Sequence, residues 1–121
     1  MKRPSLHELG KKLKEAIALS QDPDKVWLIN ADVMISDLLE LDIGVQELAG
    51  NLPEILREIK PGDYKGTYPP QRSYQEEILN SELLAFRWKS KFFGCLMYIK
   101  FTLKDDFLWL VSLHRDRENK K

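Results

Sequence analysis

Cysteine is almost missing from this chain of 121 residues, which has one, Cys95. A single thiol excludes a disulfide framework. The two histidines are far apart, and no His-Glu-x-x-His or Cys-x-x-Cys spacing occurs, so metal chemistry is not expected. Cys95 stands in an alternating apolar run, which reads as a buried structural thiol rather than a nucleophile. There is no stretch of about eighteen apolar residues, the minimum for a membrane-spanning helix. Met1-Lys2-Arg3-Pro4 leads into charged sequence rather than an apolar signal core. The expectation is a soluble, cytoplasmic protein with no membrane partner. Glycine-rich nucleotide-binding loops are absent as well, and no cofactor is expected.

An excess of charge of one sign is also lacking, with 19 basic against 19 acidic residues. The balance is uneven along the chain. Residues 1–54 carry six Lys/Arg against ten Asp/Glu, and residues 55–121 carry thirteen against nine. The basic C-terminal half suits a phosphate-bearing ligand.

What is present divides into a helical half and a strand half of one domain. Ser5 and Glu8 form a capping-box pair ahead of Leu6, Leu9, Leu13 and Ile17, predicting a first helix over residues 5–19. Asp22-Pro23 marks a turn, and residues 26–29 read as a connector. A second helix is expected from Asn30 or Asp32 through Val33, Met34, Leu38 and Leu41. The pattern resumes at Val45 and Leu48. Gly50 and Pro53 predict a break, with Pro53 opening a last helical stretch that ends before Pro61-Gly62. Residues 61–82, rich in proline and glycine at their start, read as a loop segment with a possible short helix at 74–79, and residues 116–121 as a tail.

Residues 83–115 read as an antiparallel sheet. Leu84, Phe86 and Trp88 alternate with Ala85, Arg87 and Lys89, and Cys95, Met97, Ile99, Phe101 and Leu103 form a second apolar row. Phe107, Trp109, Val111 and Leu113 form a third. A three-residue loop at 104–106 would put both of these last rows on the core face. In that register Tyr98 faces Ser112, with His114 diagonal to it, and Tyr98, Lys100, Ser112 and His114 share the opposite face, joined by Arg87 and Lys89 if β-pairing places them there. Metal-free RNA cleavage needs a proton acceptor for the ribose 2′-hydroxyl, cations for the phosphorane and a donor for the leaving oxygen, and these side chains include such groups. Each also has an ordinary explanation: a cross-strand aromatic, edge-protecting lysines, a salt-bridged arginine, a strand-end histidine. Leu96, Leu108 and Leu110 on that face would instead suit a non-enzymatic module that holds a protein partner.

Several short stretches resemble the MqsR-type toxins of bacterial toxin–antitoxin pairs, members of the RelE-like ribonucleases. Gly62-Asp63-Tyr64-Lys65-Gly66-Thr67-Tyr68 is similar to that family's Asp-Phe-Tyr-Lys-Ser motif before Thr-Tyr, one residue shorter. Gly94 to Thr102 is similar to its Gly-x-x-Tyr-(Leu/Val)-Lys-(Ile/Phe)-Thr strand, one residue longer, and Leu110 to His114 resembles its closing Leu-(Ile/Val)-Ser-Phe-Lys strand. The resemblance implies an α+β RelE-like fold, with N-terminal helices packed on a twisted antiparallel sheet. It also implies an mRNA endonuclease restrained by a cognate antitoxin. By the same resemblance Lys65, Tyr98 and His114 match catalytic positions, and Gln75 is the available counterpart of the family's glutamine, in a stretch longer than the family's. Arg87, Lys89, Lys100 and Arg115 are the expected RNA-binding cations. Histidine in place of the final lysine removes a fixed charge and supplies a proton-exchanging group, and Arg115 would restore the charge if a β-bulge turned it to the same face.

Overall fold

The computed structural model describes residues 5–66 and 70–116. Thr67 and Tyr68 of the loop motif and the tail beyond Asp116 lie outside the described residues. Helix α1 (Leu6–Ser20) starts at the expected capping box, in which the Ser5 hydroxyl accepts from the Glu8 N–H at 3.1 Å and the Glu8 carboxylate accepts from the Ser5 N–H at 3.0 Å. The Ser5 N–H bond to the carboxylate, and secondly the Ser5 hydroxyl beside it, hold the Glu8 carboxyl below its usual range. Helix α2 (Ala31–Glu40) follows Asn30, which sits in the left-handed region at φ 55°, where asparagine is tolerated, and makes no side-chain cap.

Helix α3 (Val45–Arg57) runs unbroken through Gly50 and Pro53, contrary to the break expected there. An interior proline costs about 3 kcal/mol. Against this stand four buried side chains, Leu48, Leu52, Ile55 and Leu56, each contributing roughly 1.5–3 kcal/mol of burial. Asn51 adds a side-chain bond to the Glu47 carbonyl at 2.8 Å one turn back. Tertiary packing therefore outweighs the local breaker.

Among the described residues the sheet has four strands in the order β1-β4-β3-β2: β1 (Val26–Leu28), β2 (Leu84–Ser90), β3 (Cys95–Lys104) and β4 (Phe107–Arg115). The fold is α+β, but the sheet is mixed and not wholly antiparallel, because β1, expected as a connector, pairs parallel to β4. The helices cover one face. Leu9, Leu13, Met34, Leu38 and the α3 residues meet Leu84, Phe86, Trp88, Met97, Ile99 and Phe101 in the main core, where the Phe86 and Phe101 rings stack at 5.8 Å. Val33, expected in the helix-2 apolar set, faces outward, and Cys95 is only partly buried at the core's edge.

The β3–β4 connection departs from the expected register. The turn has two residues, Asp105 and Asp106, at φ 55° and 64°, so Lys104 pairs with Phe107 and Leu103 with Leu108. Positive φ at both positions is the signature of the tight hairpin turn that matches strand twist. The register then slips once more: Phe101 pairs with Leu110 and Lys100 with Ser112, leaving Val111 as the extra residue of a β-bulge. Leu108 and Leu110 consequently enter the main core, while Trp109 and Val111, expected there, turn to the opposite face.

Part of that second face is covered. Ile29, Ile78 and Leu83 pack with Trp109 and Val111 in a small separate cluster. The covering segment, which includes a short 3₁₀ turn (Glu76–Ile78), is tied to the sheet by Thr102, whose hydroxyl donates to the Glu82 carbonyl at 2.6 Å.

Candidate functional site

The rest of the second face, partly exposed among the described residues, is built in rows across β2, β3 and β4. Ala85, Lys100 and Ser112 are in register in one row, and Arg87, Tyr98 and His114 in the next. Lys89 and Leu96 begin a third, which Asp116 completes through its N–H bond to the Leu96 carbonyl at 2.9 Å. The loop residue Lys65 lengthens the first row, because its N–H donates to the Ala85 carbonyl at 2.7 Å. Its neighbour Tyr64 bridges Phe86 and is buried in the core with the two rings 5.8 Å apart, so strand alternation puts Lys65 on the open face. Gly66 permits this: a Cβ there would collide with the Tyr64 ring.

Tyr98 and His114 stand directly opposite each other, not offset by a diagonal as the three-residue loop implied, and Ser112 faces Lys100 instead. Their rings stack with centroids 5.3 Å apart and planes inclined by 23°. The His114 Nδ1 lies 2.7 Å from the Arg115 carbonyl oxygen. A carbonyl only accepts, so Nδ1 carries the proton of the neutral ring and Nε2 offers its lone pair.

Asp116 is the member that sequence reasoning missed. Its carboxylate lies 2.5 Å from Arg87 Nε, and its side chain is only 7% exposed. The signal lies in the alternation Ser112, His114, Asp116, which carries the polar row one residue past Arg115. Burial, and secondly the Asp116 charge, push the Tyr98 phenol above its usual value of 10. At neutral pH Tyr98 is therefore a proton donor and not a phenolate.

The other expected residues are distributed unevenly. Lys89 is exposed at the rim of the face, and Lys100 lies within it. Arg115 pairs with Met97, a core-facing position, and so belongs to the opposite side of the sheet; the bulge precedes it and does not turn it toward His114. Gln75 lies in the covering segment beside the Trp109 half, where its N–H bonds the Ser73 hydroxyl at 3.0 Å. Leu108 and Leu110 are wholly buried, so of the three leucines expected on this face Leu96 alone is exposed.

Among the described residues no group of three or more His, Cys, Asp and Glu side chains is placed to hold a metal ion, and no helix is long and apolar enough to cross a membrane. No protein-family model matches this chain, and no curated protein matches it in sequence.

Proposed function

We propose that this chain is a metal-independent endoribonuclease of the toxin type that its motifs resemble, cutting mRNA by attack of a ribose 2′-hydroxyl and restrained by a cognate antitoxin. The observation that carries this reading is the Arg87–Tyr98–His114 row on an open sheet face, with Lys100 and Lys65 in the adjoining row. Neutral His114 takes the 2′-hydroxyl proton on Nε2. The freed 2′-oxygen attacks the adjacent phosphorus, the bond from phosphorus to the 5′-oxygen breaks, and that oxygen takes a proton from the Tyr98 phenol. The products are a 2′,3′-cyclic phosphate and a 5′-hydroxyl; solvent exchange then returns the proton from His114 to Tyr98. Lys100, Lys65 and Arg87 stabilise the charge that develops on the non-bridging oxygens. Gln75 has no assigned step in this scheme.

Purified protein incubated with RNA in a chelator is expected to leave cyclic-phosphate ends. Tyr98→Phe and His114→Gln, which keep the ring or the bulk, are each expected to slow cleavage at least about 100-fold, the scale of general acid–base assistance. Lys65→Ala combined with Tyr98→Phe should abolish growth arrest on induction. Intact RNA at molar excess of protein, or undiminished cleavage by both single variants, would overturn the assignment.

A further inference from the structure

The far end of the same sheet has a different character. Trp27, at the centre of edge strand β1, is 51% exposed, although tryptophan is among the largest apolar surfaces a chain can bury. It does not stand alone: its ring stacks on Trp109 at 5.8 Å and meets Phe107 edge-on at 6.0 Å, and Phe107 in turn meets Trp109 at 6.3 Å. Three rings thus form a platform whose outermost member is open to solvent.

Charge around this platform is the reverse of that around Tyr98. Parallel pairing of Val26 with Leu108 sets the beginnings of β1 and β4 side by side. It therefore brings Asp22 and Asp24, just before β1, to the end of the sheet where Asp105 and Asp106 make the hairpin turn. All four are exposed. Two lysines belong to the same end. Lys104 sends its ammonium to the Glu77 carbonyl at 3.1 Å, and Lys25 closes the short 3₁₀ turn (Pro23–Lys25). The part of the sheet around Tyr98 carries Lys65, Arg87, Lys89 and Lys100 against the single carboxylate of Asp116. RNA phosphates are attracted to that basic part and repelled from this end.

We infer that the Trp27–Phe107–Trp109 platform with its aspartate rim is a docking site for an arginine- or lysine-bearing segment of a partner protein. The cation lies over the open face of Trp27 and the aspartates supply the field that holds the segment. Aromatic faces attract guanidinium groups through the ring quadrupole, and a carboxylate rim selects the same charge. An RNA base stacked on Trp27 is the competing occupant, and the rim opposes it.

The test uses the whole chain, a capped arginine–glycine repeat peptide, and an uncleavable 2′-O-methyl oligoribonucleotide, with binding read by tryptophan fluorescence and calorimetry. The peptide is expected to bind saturably and more weakly as salt rises. Trp27→Ala should weaken it about two- to fivefold, the range of a solvent-accessible cation–π contact. Asp105→Asn with Asp106→Asn should weaken it similarly while keeping the turn, since asparagine accepts positive φ, and this pair guards against a Trp27 variant that folds poorly. The oligonucleotide should bind all variants alike. Peptide affinity unchanged by both variants, or oligonucleotide affinity lost with Trp27→Ala, would overturn the inference.

Discussion

Removing the carboxylate of Glu58 is expected to destabilise the protein by about 3 kcal/mol, within the range that unsatisfied buried donors cost. Glu58 follows α3, and its two oxygens accept four bonds, from the Trp88 indole N–H at 2.9 Å, the Ser90 hydroxyl at 2.7 Å and the backbone N–H groups of Lys91 and Phe92 at 3.1 and 2.9 Å. One side chain thereby joins the last helix to β2 and to the turn after it. In Glu58→Ala the Trp88 and Ser90 donors stay buried without an acceptor, at about 1–3 kcal/mol each, while the two backbone groups turn to water at little cost. Burial raises the carboxyl's affinity for protons, but the four donors together outweigh it and hold Glu58 below its usual value of 4.5. A group whose folded value is depressed contributes its stability above the unfolded value, and that contribution is lost as pH falls through the folded one. The stability gap between wild type and Glu58→Gln should thus be constant above about pH 5 and narrow below it. Urea unfolding followed by tryptophan fluorescence at several pH values measures both effects. An alanine variant within about 0.5 kcal/mol of wild type, the usual range of surface substitutions, or a gap that does not change with pH, would refute the reasoning.

Deleting Val111 should leave the protein folded, because removing the extra residue of the bulge keeps every inward side chain of β4 inward; the loss should be about 1–2 kcal/mol of burial against Ile78 and Leu83 in a urea titration. Deleting Thr102 from β3 should cost more in the same titration, since it turns Leu103 and Lys104 over and removes the Thr102 bond to the Glu82 carbonyl. The Tyr98 phenol should ionise above the ordinary value of 10, and Asp116→Asn should bring it partway down, burial being the larger cause; phenolate absorbance of wild type minus Tyr98→Phe isolates the group. Gly66→Ala should cost about 1–3 kcal/mol by forcing Tyr64 from its place on Phe86, and less when Tyr64→Leu is already present, as thermal melts of the single and double variants would show.

The parts of the fold legible in the sequence were those decided within a few residues. The capping box of α1 needs only Ser5 and Glu8, three apart, and it formed as expected. The strand β2 announced itself because large apolar residues alternate there with Arg87 and Lys89. Pro53 misled because its effect is local while the burial that overrides it comes from packing against α1. Strand β1 could not be read at all: three residues show no periodicity, and what makes them a strand is β4, some eighty residues further along.

The hairpin of the last two strands formed, but its register departed from expectation for a more instructive reason. Between residues 107 and 111 both alternating rows of β4 are apolar, Phe107, Trp109 and Val111 on one side and Leu108 and Leu110 on the other, so hydrophobicity cannot choose between them. Turn chemistry does choose, since Asp105-Asp106 accepts positive φ at two consecutive positions and a two-residue turn follows. That turn displaces β4 by one residue from the expected pairing, and the bulge at Val111 displaces it by one more. A displacement of two leaves the faces beyond the bulge unchanged, which is why Tyr98, Lys100, Ser112 and His114 were correctly grouped on one face. It changes the partner, however, and moves Tyr98 from Ser112 to His114. The stacked phenol and imidazole at the centre of the proposed site thus arise from two irregularities, a tight turn and a bulge, neither of which a periodic pattern can encode.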